Sequence, residues 1–192
     1  MDKKEKAAQL TLEREELNRL IGRGATFTVE DVRFHVEKRF FGLWRKKAPE
    51  TYKREFRIEE PTLGTLDRLA REWVELEIDE EKLKGTDGMR AARTMAARHA
   101  MRCAKVVAIA VMGSDYLIPK FNKGGFVTYK EDDKTLGVLT ALFYRTIKPS
   151  LLHQLVILIS TMCNLADFIN SIRLMSCDRT TMPTLVEENP RG

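Results

Sequence analysis

The chain has 192 residues, of which 43% are hydrophobic and 32% charged, and its formal net charge is +5. This length and composition exclude a wholly disordered chain and allow a buried core without disulfide or metal cross-links. The charged N-terminus lacks the apolar segment of a signal peptide, and the most apolar run, residues 151–159, is shorter than the roughly 20 residues of a membrane span. We therefore expect a cytoplasmic protein that does not bind membranes.

The cysteines support this location. The chain has three cysteines, Cys103, Cys163 and Cys177, which form no Cys-x-x-Cys pair. Two of the three lie within apolar helical patterns. We therefore expect reduced thiols that act as small buried hydrophobic residues.

The first 60 residues predict a short helix and then a β-hairpin. Thr11 can cap a helix that extends to Ile21 and ends at the following glycines. From Val32 to Glu37, apolar and polar residues alternate, which indicates a strand; a helix beginning near Thr28 is the alternative. Phe56 and Ile58 predict the second strand, with residues 40–51 connecting the two.

The connection between these strands is basic and aromatic. Between Arg33 and Arg57 there are nine Lys or Arg residues and three Glu residues, so this segment carries more positive charge than the chain's net excess. The pattern is compatible with a solvated loop, with a protein-binding surface centred on Phe41 and Trp44, or with a nucleic-acid site. The nucleic-acid alternative would use Lys38, Arg39, Arg45, Lys46, Lys47, Lys53 and Arg54.

A sharp change follows at Pro61, which ends the second strand, and Thr62, a helix N-cap. The next helix is amphipathic, with Gly64 in its first turn. Its predicted apolar face consists of Leu63, Leu66, Leu69, Ala70 and Trp73.

A long helix is predicted from about Met89 to Val111 and ends at Gly113. Its apolar face includes His99, interpreted as a neutral core histidine that hydrogen-bonds a neighbour. The opposite face is a basic stripe, which is either solvated or directed at an acidic partner (Arg90, Arg93, Arg98, Arg102 and Lys105).

The remaining segments predict three more helices after a connection at residues 114–134. Asp132 or Asp133 caps the first, which extends to Ile147, and Pro149 begins the second. The second helix is apolar nearly all round, which indicates either a central core position or an oligomer interface. Asn164 caps the last helix, whose predicted inward stripe is Leu165, Phe168, Ile169 and Ile172.

Together these patterns predict an α+β fold that is mainly α, with an N-terminal β-hairpin region followed by a bundle of about five helices. The predicted divisions are residues 1–60, the helical domain 61–176 and a flexible tail 177–192. His35, His99 and His153 lie far apart in sequence, and the chain contains no Gly-x-Ser-x-Gly, His-Glu-x-x-His or phosphate-loop pattern. We expect no enzymatic activity, metal site or cofactor.

Three short segments resemble the tail assembly chaperones of long-tailed bacteriophages, in a Bacteroides-type phage or prophage version. The strand followed by Pro61-Thr62-Leu63-Gly64 is similar to the family's Pro-Thr-x-Gly-x-Leu turn. The run 104–111 resembles its central helix, and Asp167-Phe168-Ile169-Asn170-Ser171-Ile172 resembles its Asp-Phe-x-x-Ser-Ile segment.

This resemblance implies a non-enzymatic protein of the host cytoplasm that binds the tape measure protein and the tail tube protein while the tail is built. The candidate partner-binding residues are Leu63, Leu66, Leu69 and Trp73, together with Phe41 and Trp44. The N-terminal 50 residues do not match the family. A nucleic-acid-binding accessory protein and a structural tail component are the alternatives, and homo-oligomerisation is compatible with each.

Overall fold

A computed structural model describes residues 22–39, 44–76 and 88–177, with side chains at all of these except 35–39, 44–48 and 177. The predicted helix at residues 11–21 and the tail beyond 177 lie outside the described residues. In chain order, the elements are β1 (Ala25–Arg39), β2 (Trp44–Ile58), α1 (Leu63–Val74), α2 (Gly88–Met112), a 3-10 turn (Gly113–Tyr116), β3 (Leu117–Phe121), β4 (Val127–Glu131), α3 (Asp133–Thr146), α4 (Pro149–Met162) and α5 (Leu165–Cys177). The predicted mainly helical α+β fold with an N-terminal hairpin is confirmed.

The β1–β2 hairpin is longer than its sequence pattern indicated. The two strands are antiparallel and stay paired from Ala25 opposite Ile58 to Arg39 opposite Trp44. The strand prediction for residues 32–36 is therefore confirmed, and the alternative helix near Thr28 is wrong. Residues 44–51 belong to β2 instead of a connection, since backbone pairing continues through them.

The apolar face of β1 changes sides along the strand. Phe27 and Val29 lie on the side that faces the helices, and Val29 is buried. Val32 and Phe34 have the opposite parity, so they lie on the other side, where Phe34 is 68% exposed.

The base of the hairpin is packed into the helical core by three phenylalanine rings. The ring centroid of Phe143 in α3 lies 4.9 Å from that of Phe56 and 5.8 Å from that of Phe27. Phe143 is fully buried, and Ile58, which belongs to the same core cluster, is 1% exposed. Residues on both sides of residue 60 thus contribute to one core cluster.

Helix α1 begins as its sequence predicted. Thr62 is the N-cap, and its hydroxyl oxygen accepts a hydrogen bond from the backbone N–H of Thr65 at 3.3 Å. A Cβ on Gly64 would meet no atom within 4 Å. No neighbouring backbone therefore requires a glycine at that position.

Helix α2 is central, and its two halves differ. From Ala104 to Ala110 only Lys105 is not buried, so this part of the helix is covered on all sides. In the first half, Met89 is 71% exposed, and Ala92 and Ala96 are also exposed. The prediction that one apolar face is buried along the whole helix is therefore wrong for this half. The described elements bury His99 there and cover Met95 only in part.

The predicted connection at residues 114–134 contains a second hairpin. Strands β3 and β4 are antiparallel, with Pro119 opposite Tyr129. A two-stranded sheet has only edge strands, which tolerate proline. The hairpin is closed at its base by a backbone hydrogen bond of 2.9 Å from the Asp132 N–H to the Tyr116 carbonyl.

The last three helices begin at the predicted residues. Asp132 caps α3 by accepting a 3.1 Å hydrogen bond from the Thr135 N–H, and Pro149 occupies the first turn of α4. Only one face of α4 is buried, mainly through Leu155, Ile159 and Met162. Asn164 has a φ of 42°, which separates α4 from α5.

Candidate partner-binding surfaces

The predicted binding face of α1 is largely occupied by the fold. Leu66 and Leu69 are 8% and 1% exposed and belong to the core, whereas Trp73 is half-buried. Leu63 is 73% exposed and lies outside the buried face, which instead contains Thr65. A partner that leaves this fold intact can reach Leu63 and part of Trp73, but not the two buried leucines.

The basic stripe of α2 meets acidic residues of α1. Glu72, whose side chain is 14% exposed, lies 2.5 Å from the Lys105 ammonium and 3.5 Å from the Arg102 guanidinium, and Glu75 also pairs with Arg102. Two of the five predicted basic residues therefore join helices within the molecule. Long-range pairing of this kind leaves no periodic signal in the sequence.

His99 lies beside these ion pairs. It is 9% exposed, and its Nδ1 atom has no hydrogen-bond partner among the described residues. The predicted hydrogen bond from this histidine to a neighbour is therefore not found at Nδ1. An open cleft of about 340 Å³ beside it is lined by Val74, Glu75, Arg98 and Arg102.

In the β1–β2 hairpin, Arg54 has a structural role. Its guanidinium lies 3.4 Å from Asp31 and 4.8 Å from the Phe56 ring centroid, and Asp31 also accepts hydrogen bonds from Tyr52 and the Val32 N–H. Burial acts to raise the pKa of Asp31, but the three hydrogen bonds and the Arg54 charge outweigh it and lower the pKa.

The other candidate nucleic-acid residues are distributed along both strands. Lys38 and Arg45 are opposite one another in the register, and Lys46 is opposite Glu37. Lys53 is exposed and lies opposite Glu30. Arg39 ends β1, opposite Trp44 at the start of β2, and Lys47 also lies in β2. The register thus places Lys38, Arg39 and Arg45 together at the Arg39–Trp44 end of the hairpin. Phe41 lies outside the described residues.

The largest difference from the sequence prediction is in α5. Its stripe of apolar residues was expected to face inward, but no residue of α5 with a described side chain is buried. We define the α5 stripe as Leu165, Phe168, Ile169, Ile172 and Met175, which are between 37% and 70% exposed. The adjacent helix α4 also exposes Val156 and Ile157, at 41% and 55%. This apolar surface has no covering element in the described part of the chain.

The two last helices also have the composition of a membrane segment. By length and composition alone, Pro149–Ser176 is apolar enough to cross a membrane, with a mean hydropathy of 1.7 in its best window and 22% of that window buried. The bend at Asn164 divides it into helices of 14 and 13 residues. Each is shorter than the roughly 20 residues that a helix needs to span a bilayer.

The β3–β4 hairpin presents a second apolar surface. Phe121 and Tyr129 lie on the same face of this hairpin and are 82% and 67% exposed. Lys120 and Lys130 are on the opposite face. The hairpin is therefore amphipathic, although almost all of it is in contact with solvent.

Groups suited to catalysis or metal binding are sparse in the described ranges. No cluster of three or more His, Cys, Asp or Glu residues that could hold a metal ion occurs within residues 22–39, 44–76 and 88–177. Burial raises the pKa of the Cys163 thiol to about 11, which keeps it protonated and unreactive at neutral pH. A cleft of about 450 Å³ between the end of β2 and the end of α2 has four acidic residues in its lining, Glu55, Glu59, Glu60 and Asp115.

Searches with this chain matched no protein-family model, no curated protein and no solved structure.

Proposed function

We propose that this protein is a non-enzymatic chaperone that keeps an apolar helical partner soluble, and that it acts in the assembly of a bacteriophage tail. The motif resemblance at residues 61–64 and 167–172 supports the phage assignment. It makes the tape measure protein the proposed client and the tail tube protein a second partner in the host cytoplasm. Binding and release of a client require no catalytic group, metal or cofactor.

The exposed α5 stripe is the observation that carries this proposal. Exposed apolar side chains that line one face of a helix, as the α5 stripe does, are typical of interaction sites. An exposed helical stripe can pack against the apolar face of a second helix. The α5 stripe includes a phenylalanine and a methionine, whose side chains suit contacts with many similar helical segments.

Co-expression with the tape measure protein of the same genome tests the proposal. A non-enzymatic chaperone stabilises its client by occupying sites, so the soluble yield of the client should rise in proportion to the amount of this protein. Phe168→Glu should lower that yield at least about tenfold, because a charge would be placed within the apolar contact.

Leu174→Glu is the matched control. Leu174 is 67% exposed but projects from the side of α5 opposite the stripe, so its replacement should leave the yield unchanged. A client that stays insoluble at saturating wild-type protein would refute the chaperone assignment. Recovery of this protein at fixed copy number from mature virions would support a structural tail component instead.

A nucleic-acid-binding accessory protein is the second candidate. It is favoured by the register of the β1–β2 hairpin, which sets Lys38 opposite Arg45 next to Trp44. Like charges opposite one another destabilise a hairpin, and a bound polyanion would offset that cost. Binding of single-stranded DNA should then weaken steeply with salt, and Arg45→Ala with Lys46→Ala should flatten that dependence. An absence of binding at low salt would eliminate this candidate.

A further inference from the structure

The spacing of the α5 stripe carries an inference beyond client binding. Leu165, Phe168, Ile172 and Met175 follow one another at intervals of three, four and three residues. These are the intervals of the a and d positions of a coiled coil, whose side chains form the contact between two helices. Ile169 flanks the stripe, and all five side chains are at least 37% exposed.

The four residues at the a and d positions are also symmetric. When α5 is turned end for end about residue 170, Leu165 coincides with Met175 and Phe168 coincides with Ile172. A second α5 helix that runs antiparallel to the first would therefore place an apolar residue opposite each of these four, whereas the flanking Ile169 would lie at the level of Ser171. Such self-complementarity is the requirement for an interface between two identical subunits related by a two-fold axis.

We infer that α5 pairs with α5 of a second copy of this chain in an antiparallel dimer, with the two-fold axis near residue 170. The polar residues Asp167 and Asn170 project away from the stripe, and Arg173 lies at its edge beside Ile169; all three are exposed. No charged residue interrupts the stripe within α5. The partner is thus another copy of the protein, and the contact uses the same side chains as the proposed client site.

The size of the contact predicts a weak dimer. A helix of 13 residues is about 20 Å long and about 10 Å wide with its side chains. The contact therefore buries less than the roughly 800 Å² per partner of a standard stable interface. The dimer should therefore be weak and dissociate on dilution, so that a helical client can displace the second copy.

Sedimentation of the purified full-length chain, from about 1 to about 300 µM, tests this inference without a client. The average mass should rise with concentration towards that of a dimer. Phe168→Lys and Ile172→Glu should each raise the dissociation constant at least about tenfold, whereas Leu174→Glu should change it less than about twofold. These positions are exposed, and circular dichroism will check that each variant is folded.

Mixing the two stripe variants determines the direction of the pairing. In the antiparallel dimer residue 168 of one copy meets residue 172 of the other, so the introduced lysine and glutamate face each other. An equimolar mixture of Phe168→Lys and Ile172→Glu should therefore dimerise more strongly than either variant alone, and high salt should reduce the gain. A parallel pair would bring the two substitutions to different levels and show no gain.

Three results would overturn the inference. They are a monomer at every concentration, a dimer that Phe168→Lys leaves unchanged, and a mixture with no gain. Client solubilisation is a separate measurement, so a chain that dimerises as described but fails to solubilise the tape measure protein would refute the proposed function alone.

Discussion

Replacing Phe143 by leucine should destabilise the hairpin and the helices together. Phe143 is 0% exposed and its ring contacts Phe27 and Phe56. Removing a buried phenylalanine side chain down to alanine costs about 3–5 kcal/mol, and leucine restores most of the lost apolar volume. Loss of the ring pairs adds to this, so we expect a cost of about 2 kcal/mol in the free energy of unfolding.

Chemical denaturation followed by circular dichroism and by tryptophan fluorescence measures this change. In a thermal melt of a chain of this size, a loss of about 2 kcal/mol corresponds to a melting temperature lower by about 4–8 °C. Both signals should shift by the same amount, because one core connects β1, β2 and α3. A double-mutant cycle with Phe56→Leu should give a coupling of about 0.5–1.5 kcal/mol.

Tyr144→Leu is the control for this substitution. Tyr144 is the next residue of α3 and is 54% exposed, so its replacement should change stability by less than about 0.5 kcal/mol. If Phe143→Leu costs no more than this control, or if the coupling with Phe56 is zero, the shared core described above is wrong.

Substitutions at four further positions test local structure. Gly137→Ala should raise stability by up to about 1 kcal/mol in thermal melts, since a Cβ at this helical position meets no atom within 4 Å. Gly24→Ala should lower stability by more than about 1 kcal/mol, because Gly24 has a φ of 69° and its Cβ would lie 2.9 Å from the Ile58 carbonyl oxygen. Thr62→Ala should cost about 0.5–2 kcal/mol in denaturant unfolding through loss of the α1 cap, with Thr62→Asp largely retaining it. Asp31 has a lowered pKa, so its ionised form stabilises the fold above about pH 4, and this contribution is lost as the pH falls through the native pKa. Asp31→Asn should therefore reduce the loss of stability with falling pH below about pH 4. The same loss in the variant and the wild type would contradict this.

The parts of the fold that the sequence predicted correctly depend on local chemistry. The hydroxyl of Thr62 and the carboxylate of Asp132 each accept a hydrogen bond from an N–H three residues ahead. Gly113 adopts a φ of 49°, which few other residues tolerate, and Pro149 can occupy only the first turn of a helix. Each of these signals involves residues that are close in the chain, so the sequence alone is enough to predict them.

The predictions that failed depend on what each face packs against. Periodicity grouped Leu165 with Phe168 and Ile172 correctly, but it cannot show whether another element covers that group. In α1, the buried residue that the pattern missed is Thr65. Its hydroxyl is hydrogen-bonded to that of Thr62, so the side chain can be buried without an unpaired polar group. The pairing of Arg102 with Glu75 joins residues 27 positions apart, which no local pattern encodes.

The switch of apolar side chains in β1 determines from which direction the hairpin can be covered. Helix α3 shields the side of the sheet that carries Phe27, and there Arg145 also reaches Asp31, with 3.4 Å between the guanidinium and the carboxylate. Phe34 lies on the reverse side, seven residues, or about 23 Å of strand, further along. A molecule that shelters Phe34 must therefore approach from behind the sheet, and it can do so without displacing any of the helices α1 to α5 described above.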